Sequence, residues 1–223
     1  RMTTARLVAA TLAAGLVFTA ATAARAADVK RRGGQAEVLM GGSMCIPSHA
    51  ACRAATDVVG STGPSMGMGF TLGFRPLRTL MIGAAYNIGF FNPNYLATGS
   101  NADAFRVAYQ NSVFAVIRGI IPIWRFDLGL EIGPGFSRQT FVARDTLPYD
   151  KQFSQGFAFK TAPVIDLFVT RQFFIGAKVD FLWNFHRQVC ADAGGSRVCQ
   201  TRSSNDQASV HQMIVGVHFG GTF

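Results

Sequence analysis

Two close pairs of cysteines, Cys45 with Cys52 and Cys190 with Cys199, are the first residues whose type and spacing could do chemistry. Thiols so placed oxidise to disulfides or, with imidazoles nearby, hold zinc. His49 lies inside the first pair and His186 near the second. Neither pair has the tight spacing of zinc ligands, so the compartment decides. The start of the chain answers that point. Arg6 gives a short positive region, Leu7 to Ala23 an apolar one, and Ala24-Arg25-Ala26 a small-x-small cleavage site, which together read as a secretory signal peptide over 1–26 with the mature chain at 27–223. An exported chain meets an oxidising environment, so two loop disulfides are expected and no metal.

Charge is the next candidate for chemistry. Without Arg1, Arg6 and Arg25, 18 of the 21 Lys and Arg face 12 Asp and Glu, a balance near +6. Such a charge could suit nucleic acid or anionic lipid. The longest basic cluster is only Lys30-Arg31-Arg32, and nucleic acid does not fit an exported protein. The chain also carries no phosphate-binding loop. His218 could titrate near neutral pH, but a satisfied hydrogen bond is the ordinary fate of an inward histidine.

The elements that must position these residues are strands. Side chains alternate between apolar and polar over eight segments, at about 35–44, 65–74, 79–91, 104–118, 125–138, 154–169, 173–186 and 208–223, the period of a strand with two different faces. Short links at 75–78, 119–124 and 170–172 alternate with long polar ones at 45–64, 92–103, 139–153 and 187–207. This predicts an all-β, eight-stranded antiparallel up-and-down barrel with tight turns at one end and long loops at the other. Both cysteine pairs fall on the loop side.

Parity of the charges decides which solvent surrounds the barrel. In "RFDLGLEIGPGFS", Phe126, Leu128, Leu130, Ile132 and Phe136 share one face, and Arg125, Asp127 and Glu131 the other. Lys178 and Asp180 oppose Ile175, Val179, Phe181 and Trp183, while Lys160 and Asp166 oppose Phe157, Phe159, Ile165 and Leu167. Arg106 and Arg118 are placed opposite Phe105, Val107, Tyr109, Val113 and Ile117 in the same way, and Glu37 joins the inward set. Five acids (Glu37, Asp127, Glu131, Asp166, Asp180) then face five bases (Arg106, Arg118, Arg125, Lys160, Lys178). A soluble ligand-carrying barrel would turn its charges outward. Charges inside and apolar residues outside fit a transmembrane barrel, where a lipid-facing Lys or Arg at mid-membrane costs about 2–4 kcal/mol. Eight strands leave an interior just wide enough for side chains to fill, so the charges are expected to form one paired network.

Aromatic girdles are expected at Trp124, Phe126, Phe173 and Phe219 on the turn side and at Tyr95, Phe136, Tyr149 and Trp183 on the loop side. Three residues resist the pattern. Asn111 falls on the lipid face, and Pro134 and Pro163 each remove a ladder donor, to be absorbed by bulges or by a place near the interface.

The terminal "MIVGVHFGGTF" resembles the assembly signal of bacterial outer-membrane proteins, with Val215, Val217, Phe219 and Phe223 matching it and Gly221 departing from its preferred large apolar residue. The mature chain resembles the small eight-stranded barrels of the OmpA and OmpX kind. That resemblance implies residence in the outer membrane with both mature termini periplasmic. The implied partners are outer-membrane lipid including lipopolysaccharide, the insertion machinery, and a host or envelope ligand at the loops, with no cofactor. Similar barrels include lipid A deacylases, which use a His and a Ser two apart. Ser209 and His211 stand two apart here, but in reverse order and with no outward acid beside them. The expected function is a non-enzymatic barrel with disulfide-pinned loops in a structural or surface-interaction role. A narrow porin-like conduit is the first alternative and a lipid A-modifying enzyme the second.

Overall fold

The computed structural model describes residues 29–46, 58–97, 99, 102–145, 147–201, 208–209 and 211–223. The signal segment and Cys52 lie outside the described residues. Among the described residues eleven strands run in chain order: β1 (Gly33–Cys45), β2 (Val58–Gly63), β3 (Ser65–Leu77), β4 (Leu80–Ala97), β5 (Phe105–Ile123), β6 (Phe126–Ala143), β7 (Lys151–Phe168), β8 (Phe173–Ala193), β9 (Ser196–Thr201), β10 (Ala208–Ser209) and β11 (Gln212–Thr222). Eight of them, β1, β3, β4, β5, β6, β7, β8 and β11, pair antiparallel with their neighbours. The β11–β1 pairing closes them into a ring. The three short strands extend the loop end, β2 on β4 and both β9 and β10 on β8.

A closed ring leaves no unpaired backbone edge within the wall, which is the condition for crossing hydrocarbon with strands. Alternation then does the sorting. On β6 the outward series Phe126, Leu128, Leu130, Ile132, Phe136 is exposed, while Asp127 and Glu131 are buried within the ring. From Phe126 to Phe136 is about ten residues, which at ~3.3 Å each and a 35–45° tilt gives an apolar belt of about 25 Å.

The turn end is tight. Phe126 pairs with Ile123 across a two-residue turn, Trp124–Arg125, and Trp124 takes φ +52°, the left-handed conformation such hairpin turns demand. Both ends of the described chain gather there: Gly34 N–H donates to Phe223 O and Phe223 N–H to Gly34 O.

The two prolines need no bulge. Thr161 with Phe181 and Val164 with Lys178 keep one register across Pro163, and Phe114 with Gly135 and Ile117 with Ile132 do so across Pro134. Each ring therefore interrupts the ladder locally without displacing it. Asn111 does face outward, and Tyr86 Oη–H donates to its Oδ1 at 2.8 Å, so the polar group reaches lipid depth already partnered.

Bulges occur elsewhere, and one of them overturns an expectation. Phe105 pairs with Ala143 but Val107 pairs with Val142, so Arg106 is the extra residue on β5. An inserted residue switches the face of every side chain beyond it. Phe105 consequently turns inward and is buried, whereas Arg106 is exposed and does not belong to the lumen set. Tyr95 is likewise buried in the lumen rather than girdling the wall, and Tyr149 packs against the same inner cluster.

Candidate functional site

The lumen is a stack of layers. Arg75 and Asp127 lie at the turn end, where Arg75 Nη1 and Arg31 Nε each reach an Asp127 carboxylate oxygen at 2.8 Å. Arg31 also donates to Trp124 O, and its guanidinium lies 5.6 Å from the Phe168 ring centre. The segment before β1 thus folds across the turn-side mouth. Arg75 also donates to Arg78 O at 2.7 Å, which ties the β3–β4 turn to the same plug. Arg125 is buried here, with its guanidinium 5.6 Å from the Trp124 ring centre.

Above this plug, four acids and three bases meet. Arg118 grips Glu37 with both terminal nitrogens, at 2.5 and 2.7 Å, and reaches Glu131 through Nε at 3.0 Å. Glu131 is the hub: Lys160 and Lys178 each place Nζ 3.1 Å from its Oε1. Lys160 continues to Asp180 at 3.0 Å and to Asn87 Oδ1 at 3.1 Å, and Asn87 in turn donates to Asp180 at 2.6 Å. His218 Nε2 meets Asp166 Oδ1, and Arg118 lies 4.0 Å from that carboxylate. Every member of this cluster is under 5% exposed. Charges so deeply removed from water persist only when each has a close partner, and the ring of strands supplies those partners from seven different elements. Of the residues expected inside, Glu37, Arg118, Glu131, Lys160, Asp166, Lys178 and Asp180 come together here. Asp127 and Arg125 sit one layer below, and Arg106 stands apart outside.

Sequence reading missed Arg75 and Arg31. Arg75 falls in the short link expected over 75–78, whereas β3 extends through Leu77. Arg75 did carry a signal, parity, since it continues the inward register of Thr71 and Gly73 on β3; Arg31, ahead of β1, carried none.

Neutral groups fill the middle of the loop half. Gln212 Nε2 donates to Ser43 Oγ at 2.8 Å, and His186 is held between Ser137 and Ser154 at 2.7 and 2.8 Å. Gly89 leaves the space that the Gln212 amide occupies, since a Cβ there would lie 1.6 Å from Gln212 Nε2 and the amide would have to move. Above them Tyr95, Phe105 and Phe141 meet edge to face or tilted, with centroids 5.2–6.0 Å apart. Phe91, Ala104 and Ala108 complete this aromatic lid, and Tyr95 Oη shares a 2.8 Å hydrogen bond with Thr62 of β2.

The loop end carries the disulfide chemistry. Cys190 and Cys199 face each other across the β8–β9 hairpin and are bonded. Cys45 is buried under the aromatic lid and is not a free thiol, while Cys52, its expected partner, is outside the described residues. Arg197 bonds Asp192 through two nitrogens, at 2.7 and 2.9 Å, and Lys151 approaches at 3.2 Å. Arg197's hydrogen bonds, helped by Lys151, hold the Asp192 carboxyl well below the usual carboxylate range.

No protein-family model and no curated protein sequence matches the chain. Among solved structures it is similar to Neisserial surface protein A, with TM-score 0.53 and 12% identity over 85% of this chain and 96% of that one. It is also similar to the outer membrane protein OprG from Pseudomonas aeruginosa, with TM-score 0.50 and 9% identity over 86% and 99%. The chain has the fold of a small outer-membrane β-barrel. At these identities the likeness concerns the fold alone, so activity has to be argued from this chain's own side chains.

His211 is the residue on which a deacylase-like reading depends. Its ring lies edge-on to Trp183 and Phe185, at 5.4 and 5.6 Å, and its Nδ1 accepts the Asn184 backbone N–H at 3.1 Å. A ring nitrogen that accepts from the backbone has no proton-abstracting lone pair left on that side. Val215, Val217, Phe219 and Phe223, expected to form the assembly signal, all point outward and are at least 40% exposed.

Proposed function

We propose that the protein is a non-enzymatic resident of the bacterial outer membrane that conducts nothing and works through its loop end, in a structural or surface-interaction role. The observation that carries this reading is the filled lumen: a plug at the turn side, an ion-paired cluster in the middle and an aromatic lid at the loops. A ligand or ion would have to break several buried ion pairs at once to pass. The apolar outward belt supports membrane residence, because it inverts the arrangement that water selects. The outward Val215, Val217, Phe219 and Phe223 support recognition by the insertion machinery during assembly. The disulfide-joined β8–β9 hairpin supports a rigid external surface for a host or envelope ligand.

The test is planar-bilayer recording of the purified, refolded protein beside density-gradient fractionation of the producing cells. Silence in the bilayer with recovery in the outer-membrane fraction is expected. Steady single-channel steps would overturn the sealed-lumen reading and favour a conduit. Hydrolysis of lipid A that disappears in His211→Ala would overturn the non-enzymatic one.

A further inference from the structure

On the outer wall near the loop end, three strands carry a built recess. Phe136, Phe157 and Phe185 stand directly opposite one another on β6, β7 and β8, and Phe157 and Phe185 stack with centroids 6.3 Å apart at 22°. One row nearer the loops, Gln155 donates to Gln188 at 2.5 Å. Between these rows lies a recess of about 510 Å³ lined by these phenylalanines and glutamines with Arg187.

A bulge makes this recess. Gly156 pairs with His186 while Gln155 pairs with Gln188, so Arg187 is an extra residue on β8, turned to the outside beside Phe185. Bulges re-aim side chains in this way. Gly156 has to be glycine, since a Cβ there would lie 2.5 Å from Phe185 O and 2.9 Å from His186 Cα. Arg138 completes the rim. It is the cross-strand partner of Gln155, and its guanidinium stacks 3.6 Å from the centre of the Phe153 ring. Phe136 ends the apolar belt on β6 and Arg138 is the next outward residue, so both arginines stand at headgroup height above an aromatic recess at acyl-chain height.

We infer that this recess binds a phosphorylated, acylated glycolipid of the outer leaflet, that is, lipid A, with its phosphate between Arg138 and Arg187 and an acyl chain against Phe136, Phe157 and Phe185. The inference rests on the outer-membrane reading above. Guanidinium groups match phosphate oxygens in paired, charge-assisted hydrogen bonds, and rings offer a chain a rigid apolar bed. Arg138 is already ordered on Phe153 before any lipid arrives, which lowers the entropy lost on binding.

Native mass spectrometry of the folded barrel in detergent tests this, with bis-phosphorylated lipid A, dephosphorylated lipid A, phosphatidylglycerol and inorganic phosphate as separate probes. Bis-phosphorylated lipid A is expected to stay bound. Removing its phosphates, or both guanidiniums in Arg138→Gln/Arg187→Gln, should weaken binding by about tenfold or more, the loss expected for two charge-assisted contacts. Arg187→Gln alone, which leaves the Arg138–Phe153 stack intact, should show an intermediate loss, with heat-modifiable gel migration reporting that each variant is folded. Equal binding of phosphorylated and dephosphorylated lipid A would overturn the inference, as would wild-type affinity in the folded double variant. Saturation by inorganic phosphate alone, or equal retention of phosphatidylglycerol, would overturn the assignment to lipid A. Failure of the protein to fractionate with the outer membrane would instead defeat the residence reading, whatever binds in detergent.

Discussion

The two halves of the lumen are filled by different means. The turn half is packed with ions, Asp127, Arg75, Arg118, Glu37, Glu131, Lys160, Lys178 and Asp180, while the loop half ends in rings, Tyr95, Phe105 and Phe141. Rings need only complementary shape, and the loss of one leaves a void. Ions need a specific partner each, and the loss of one leaves its former partners charged and dry. The turn half is therefore the less tolerant of substitution and the more stringent specifier of strand register.

The sharpest way to break this comparison is Glu131→Ala. It strips a shared partner from Arg118, Lys160 and Lys178 and should lower stability by about 3–5 kcal/mol, read as a fall in the urea midpoint of folded-barrel migration; a loss under about 1 kcal/mol would show the hub to be dispensable. Phe141→Ala in the lid should cost about 3 kcal/mol while leaving the bilayer silent, because the ion layer beneath still seals the lumen. Conductance in Phe141→Ala would place the seal in the lid instead. Asn87→Leu sits between the two regimes: it removes two hydrogen bonds to Asp180 and Lys160 but fills the same space. A loss of about 1–3 kcal/mol is expected from the polar groups left behind.

Smaller effects are expected outside the lumen. Cys190→Ser/Cys199→Ser should make the β8–β9 hairpin sensitive to protease while the barrel melts as before, since the backbone ladder of β9 is with β8 and lies beyond the ring. Asp192→Asn should have the smallest consequence, visible as a change in the pH dependence of hairpin amide exchange. The folded carboxyl titrates below its unfolded value, so its ion pair protects the hairpin fully above about pH 4 and loses that protection as the pH falls further. The Asn variant should show no such loss over that interval.

Much of this was legible in the sequence, for a reason that can be named. A strand has a side-chain period of two, so Lys178 and Asp180 on β8, or Asp127 and Glu131 on β6, declare a common face without any knowledge of the fold. The same parity on Glu37, Arg118, Lys160 and Asp166 pointed to one interior. The failures came where the period breaks or where a segment lacks one. Arg106 was misplaced because a bulge adds one residue to β5, and nothing local to "AFRVA" marks it. Arg187 escaped notice because a second bulge, on β8, turns it outward beside Phe185. Arg31 belongs to a leader with no strand period at all, and only the closed ring brings it to Asp127.

The amino-acid order by itself determined the eight wall strands, their up-and-down path, the side of the wall taken by the inward charges other than Arg106 and the loop position of Cys190 and Cys199, because backbone geometry converts alternation directly into inside and outside. Tertiary structure alone decided who pairs with whom: that Glu131 serves three cations, that Arg75 and Arg31 close the turn-side mouth, and that three phenylalanines and Arg187, drawn from three strands, line one outer recess. Those outcomes depend on register between strands far apart in the chain and on single-residue bulges, and neither is encoded in the period of any one segment.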